Sequence, residues 1–210
     1  MAAIPNLIPL FPLPNVVLFP QMSLPLHVFE PRYRKMVKDA LEGHRTIGMT
    51  LLRPGWEVDY HGRPPVYAVG CAGVMEQWEP LAHGRYNILL KGTCRFRILE
   101  EHAGEPYRLA AVVPQPEEVG DPAALVHARS RVLAAIAKAV DGPKEMVLEP
   151  ELPSDVFINA VCQSLALEPV ERQSLLDCET IPARYARLLE VLEFRSLEQA
   201  HGRGGAGTVH

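Results

Sequence analysis

The chain has 210 residues, 48% hydrophobic and 22% charged, which places it among ordinary globular proteins with room for one large core or two small ones. A formal net charge of −4 leaves no basic footprint of the kind that nucleic-acid binding ordinarily needs. The charge is uneven, with 12 Lys/Arg against 10 Asp/Glu in residues 1–115 and 9 against 15 in residues 116–210, so a near-neutral front precedes an acidic back.

The stretch LIPLFPLPNVVLFPQMSLPLHVFEPRYR, residues 7–34, sets apolar runs between prolines 9, 12, 14, 20, 25 and 31. Proline removes a ladder donor and is kept to strand edges, starts and turns, so this reads as short strands and tight bends. Glu30 and Pro31 then suit the start of a helix that Gly43 closes. Residues 46–52 read as a strand, and 54–65 as a polar loop rich in glycine and proline that holds Trp56 and Tyr60. Aromatics on a loop either bind or fold back onto the scaffold as a lid, and the sequence leaves both open. Period-two alternation predicts strands over 66–79, 86–92, 93–100 and 107–113, with Gly70 and Gly73 marking a bulge or barrel corner. In the 93–100 strand Cys94, Phe96 and Ile98 are expected to face inward, and Arg95 and Arg97 outward.

Composition turns polar at 115–122, a predicted boundary. Asp121 and Pro122 open a helix with apolar residues at helical spacing up to residue 140. Further helices start near Ser154, Pro169 and Pro182, and their amphipathic faces argue for a bundle packed on itself or on the barrel. The glycine-rich end, 200–210, is expected to be disordered, because it cannot bury enough surface to offset its ordering entropy.

Cys71, Cys94, Cys162 and Cys178 show no CxxC pair and no histidine at zinc spacing, so buried free thiols are expected. The N-terminus lacks the basic region of a signal peptide, and no apolar run reaches membrane-spanning length. A cytoplasmic, reducing location and no membrane partner are the corresponding expectations.

The motif LFPL.NVVLFP…LPLHVFEPRYR, carried by residues 10–13, 15–20 and 24–34, resembles the opening of the LON domain, the N-terminal substrate-binding domain of the ATP-dependent Lon protease. The pattern Y.VG..GV.E…GRYNILLKGTCRFRILE, with Tyr67, Val69, Gly70, Gly73, Val74, Glu76, Gly84, Arg85, Tyr86, Gly92, Arg95, Phe96, Arg97 and Ile98, is similar to the second half of that domain's sheet. The resemblance implies an α+β fold, a PUA-like β pseudobarrel over 1–117 followed by a helical subdomain over 118–199. It also implies a polypeptide- or protein-binding role, in substrate recognition or as an adaptor in protein quality control.

Motifs for reaction chemistry are incomplete or missing. Gly202 and Gly207 have the separation of a phosphate loop, but Thr208 and Val209 stand where lysine and Ser/Thr are required. The eight histidines form no HExxH pattern, and no GxSxG elbow presents a nucleophile. His27 is expected to hydrogen-bond within the core, near Glu30 or a backbone carbonyl. No Walker motif and no Ser/Lys protease module is present, so the chain is expected to be no enzyme and to need no cofactor or metal. An exposed sheet edge could take an extended peptide as an added strand, and Trp56, Tyr60 and Trp78 are the nominated contacts. The rival expectations are a PUA-like RNA-binding module and a small-molecule-binding barrel.

Overall fold

The computed structural model describes residues 4–102, 106–139 and 151–204. Six strands and five α-helices are seen among them, in the order β1 (Leu7–Leu13), β2 (Ser23–Val28), α1 (Pro31–Glu42), β3 (Thr46–Leu51), β4 (Val69–Pro80), β5 (Tyr86–His102), β6 (Arg108–Gln115), α2 (Pro122–Ala139), α3 (Ser154–Ser164), α4 (Pro169–Leu176) and α5 (Ile181–Gly204). The sheet runs β2-β5-β4-β3-β1-β6 and closes on itself where β6 also pairs with β5. Of these strand pairs only β1 and β3 are parallel, with Leu10 opposite Gly48, because β2 and α1 supply the crossover between them. The class is α+β and the sheet is a pseudobarrel.

Two apolar layers follow from the period-two alternation. Inside the ring Ile4, Ile8, Leu10, Ala72, Phe96, Ala110 and Val112 pack together. The outward set joins a larger cluster that runs from Phe11, Cys71 and Leu90 through Met36 and Val37 of α1 to Phe157, Tyr185 and Leu188 of the helices. The helices thus cover part of the barrel's outer face, and a small ring with a thin interior gains a second core shared with them.

Several sequence expectations change in detail. The two strands expected over 86–100 are one strand of 17 residues, β5, whose front half pairs with β2 and whose back half pairs with β6. A bulge between Ala72 and Gly73 lets it bend, and Gly92 sits at that bend, where an added Cβ would lie 2.2 Å from the Phe19 carbonyl oxygen. Strand β6 passes through Pro114, opposite Phe96, and ends at Gln115. Arg95, expected to face solvent, is only 2% exposed. Alternation does place it on the outer face, but α4 and α5 cover that face. The α5 helix continues through Gly204, so the 200–210 segment starts as helix, and residues 205–210 lie outside the described residues.

The four cysteines are free thiols, as expected, with Cys71 and Cys162 buried and Cys94 and Cys178 partly so. Burial pushes Cys162 up to about 12 and Cys71 well above the usual thiol value. In a thiol titration at pH 8, Cys71 and Cys162 should stay unmodified until denaturant is added, and all four should react afterwards. Native-state reaction of all four at the rate of free cysteine would contradict this packing.

Candidate functional site

The loop between β3 and β4 is tied at its base and open at its tip. Leu52 bridges Val66, Arg53 N donates to the Pro65 carbonyl at 2.9 Å, and Tyr67 N donates to the Leu51 carbonyl at 2.9 Å. Gly55, at φ 88°, turns the chain into a short 3-10 turn, Trp56–Asp59. That turn places Trp56 edge-on to Tyr60, with ring centroids 5.4 Å apart. Both residues are nominated by the sequence, and the structure brings them together.

The pair is anchored to the start of α1. The Tyr60 hydroxyl donates to Glu30 Oε1 at 2.6 Å, Arg32 pairs with Glu30 at 3.0 Å, and the Arg32 guanidinium lies over the Tyr60 ring at 5.0 Å. Burial raises the Tyr60 pKa, and the hydrogen bond to Glu30 adds to the rise. Glu30 therefore does not cap α1 with its side chain; it holds the loop against the helix instead. Both segments that meet at this bond present an exposed apolar side chain, Val58 at 93% and Phe29 at 61% exposure. Sequence reading misses these two. For Phe29 a signal exists, because Pro25, His27 and Phe29 form the exposed phase of the alternation that buries Val28.

Trp78 stands elsewhere. It lies opposite Ile88 in the sheet and its ring carries the Arg45 guanidinium at 4.7 Å. His27 corrects another expectation: it is exposed, and its Nδ1 is 2.8 Å from Asn87 Oδ1, in a row that continues from Asn87 Nδ2 to Glu79 at 3.1 Å. Strand β2 pairs with β5 on one side and, among the described residues, has no strand on the other. No group of three or more His, Cys, Asp and Glu residues able to hold a metal ion occurs among the described residues.

A second charged cluster is buried between barrel and helices. Glu117, which follows β6, pairs with Arg95 of β5 at 3.2 Å and with Arg184 of α5. Arg95 also donates to the carbonyls of Leu176 and Cys178 at the end of α4, while Arg184 donates to the Leu175 carbonyl and to Asn159. Every one of these partners is internal, so the cluster is a structural tie rather than a reacting centre.

The sequence pattern of the family described as the ATP-dependent protease La (LON) substrate-binding domain matches residues 7–193. The chain belongs to that family. Among curated LON relatives, a Lon protease of Roseiflexus castenholzii is 30% identical over 206 residues, covering 90% of this chain and 24% of the relative. Lon protease 2 of Herpetosiphon aurantiacus is 29% identical over 211 residues, covering 92% of this chain and 25% of its own length. The chain therefore spans about a quarter of the length of these relatives. Two solved LON folds agree with the architecture. A Lon N-terminal domain protein from Xanthomonas campestris superimposes with a TM-score of 0.63 at 24% identity, over 88% of this chain and 97% of that one. The N-terminal domain of a Mycobacterium avium complex Lon protease gives 0.63 at 14% identity, over 91% and 98%. Among the described residues of this LON domain, no helix is long and apolar enough to cross a membrane.

Proposed function

We propose that this LON domain is a non-catalytic module that holds unfolded polypeptide segments, serving substrate recognition or acting as an adaptor in protein quality control. The match to the LON substrate-binding family over residues 7–193 carries the reading. The paired rings of Trp56 and Tyr60, with exposed Val58 on the same loop and exposed Phe29 next to the Glu30 that anchors Tyr60, support a place for it, since aromatic and apolar side chains held on a braced loop can receive the apolar residues of an extended chain without ordering themselves first. Trp78, braced by Arg45, offers a second contact point for a longer segment. A cytoplasmic setting goes with the reading, because four free thiols suit a reducing compartment.

The test is a titration of fluorescently labelled, reduced and carbamidomethylated α-lactalbumin, a permanently unfolded probe without added charge. The double variant Trp56→Ala, Tyr60→Ala should bind it at least ~10-fold more weakly than the parent, the usual scale for losing aromatic anchors. The single variant Trp78→Ala should show a smaller loss. Equal affinity of parent and double variant would remove the loop from the binding site.

A further inference from the structure

Beside the aromatic loop lies a cavity of about 240 Å³ lined by Arg32, Tyr33, His61, Arg63, Tyr107 and Arg108. Its charge is one-sided. Arg32 meets Glu30 at 3.0 Å, and Arg108 meets Glu101 at 3.5 Å, a long contact for an ion pair. The hydrogen bonds of Arg63 include one from its guanidinium to the His102 carbonyl at 3.3 Å. Among the described residues Arg32 and Arg108 each meet one carboxylate that is itself partly open to water, the guanidinium of Arg63 is bonded to a carbonyl, and the Asp59 carboxylate accepts from the Arg63 backbone N–H at 3.3 Å. Each guanidinium carries five N–H donors, whereas among the described residues the acceptors reached by these three are Glu30, Glu101 and the carbonyls of Tyr60, His102 and Pro64.

Arg108 makes the arrangement costly to leave as it is. Its side chain is 7% exposed, and burial beside two further arginines disfavours its charge, so its pKa is lowered despite Glu101. An anion in the cavity would relieve that repulsion and fill the remaining forks with the paired geometry that guanidinium offers to carboxylate and phosphate. The start of α1, where Arg32 is the second residue, adds the positive end of a helix. Arg32 also links the cavity to the aromatic face, since it lies over the Tyr60 ring.

We propose that this arginine pocket binds a small oxyanion, supplied in the bound polypeptide by a carboxylate, so that the LON face reads an acidic group or chain end next to an apolar one. The second half of that statement rests on the polypeptide reading above; the first does not.

Calorimetric titrations at low ionic strength test it, using inorganic phosphate and an acetylated Leu-Leu-Leu peptide with either a free carboxylate or a carboxamide end. The parent should bind phosphate, and should bind the carboxylate peptide more tightly than the carboxamide. Arg63→Ala, a change at an exposed residue that leaves the buried Arg108 in place, should weaken phosphate and carboxylate binding about tenfold. Arg187→Ala, on the far helix α5, should leave both unchanged. Failure of phosphate and carboxylate alike to bind the parent, or equal losses in Arg63→Ala and Arg187→Ala, would overturn the pocket. Phosphate binding that Arg63→Ala weakens, with carboxylate and carboxamide peptides indistinguishable, would keep the oxyanion site but overturn the polypeptide carboxylate as its source. Loss of binding to the unfolded probe with phosphate binding intact would sink the polypeptide reading alone.

Discussion

Glu117→Gln should lower the stability of the folded chain by ~3–5 kcal/mol, the range for removing one partner of a buried ion pair. The substitution keeps the side chain's size and one acceptor oxygen, so it isolates the charge. What it leaves behind is two guanidiniums, Arg95 at 2% exposure and Arg184 at 0%, held close by a shared side chain that no longer neutralises them. Burial already depresses the Arg95 pKa, and the Glu117 charge is what chiefly opposes that shift. Neither arginine can swing to water, because each is fixed by helix-end carbonyls, Arg95 by Leu176 and Cys178 and Arg184 by Leu175. Since β5, the segment after β6 and α5 all meet at this carboxylate, barrel and helices should loosen together. Denaturant titration followed by fluorescence and by circular dichroism checks it: a single shifted transition is expected. A loss below ~1 kcal/mol, the scale of an exposed pair, would show that the cluster is screened by water.

Phe96→Ala should cost a similar amount, ~3–5 kcal/mol, for a different reason. Phe96 fills the inside of the ring, and the strands around it are shaped to its side chain. A Cβ on Gly48 would come within 2.9 Å of its Cζ, and one on Gly70 within 2.6 Å. Of the other inner side chains, Ala72, Ala110 and Val112 are too small to close the gap, and Ile4, Ile8 and Leu10 are already packed in the same layer. Hydrogen bonding on both sides of the strands also prevents the ring from collapsing, so the cavity persists. Phe96→Leu should lose less than half as much. Equal stability of Phe96→Ala and the parent, measured by chemical denaturation, would mean that the inner layer is not a tightly packed core.

The strands and helices are legible because their signals are local. In 7–34 Pro14 and Pro20 mark the break between β1 and β2, whereas Pro9, Pro12 and Pro25 lie inside those strands rather than at bends; alternation marks β4 to β6, and Pro31, Pro122 and Pro169 sit at the first position of their helices. What alternation cannot reveal is which outward face another layer will cover, and so it assigns Arg95 to solvent although α4 and α5 bury it. His27 departs in the opposite direction. Its apolar neighbours suggest a core, but period two turns it outward, where Asn87 takes its hydrogen bond. For the candidate site, Trp56 and Tyr60 can be named from loop chemistry alone. The arginine pocket cannot, since Arg32, Arg63 and Arg108 belong to three separate segments that only the closed fold brings around one cavity.

The most direct measurement of the central claim compares two forms of one ligand. The purified chain is titrated with native α-lactalbumin and with its reduced, carbamidomethylated counterpart, which share a sequence and differ in exposed apolar surface. Saturable binding of the unfolded form, with none detected for the native form at the same concentrations, is the predicted result. Binding of neither form, or equal binding of both, would contradict a module that grips unfolded chains.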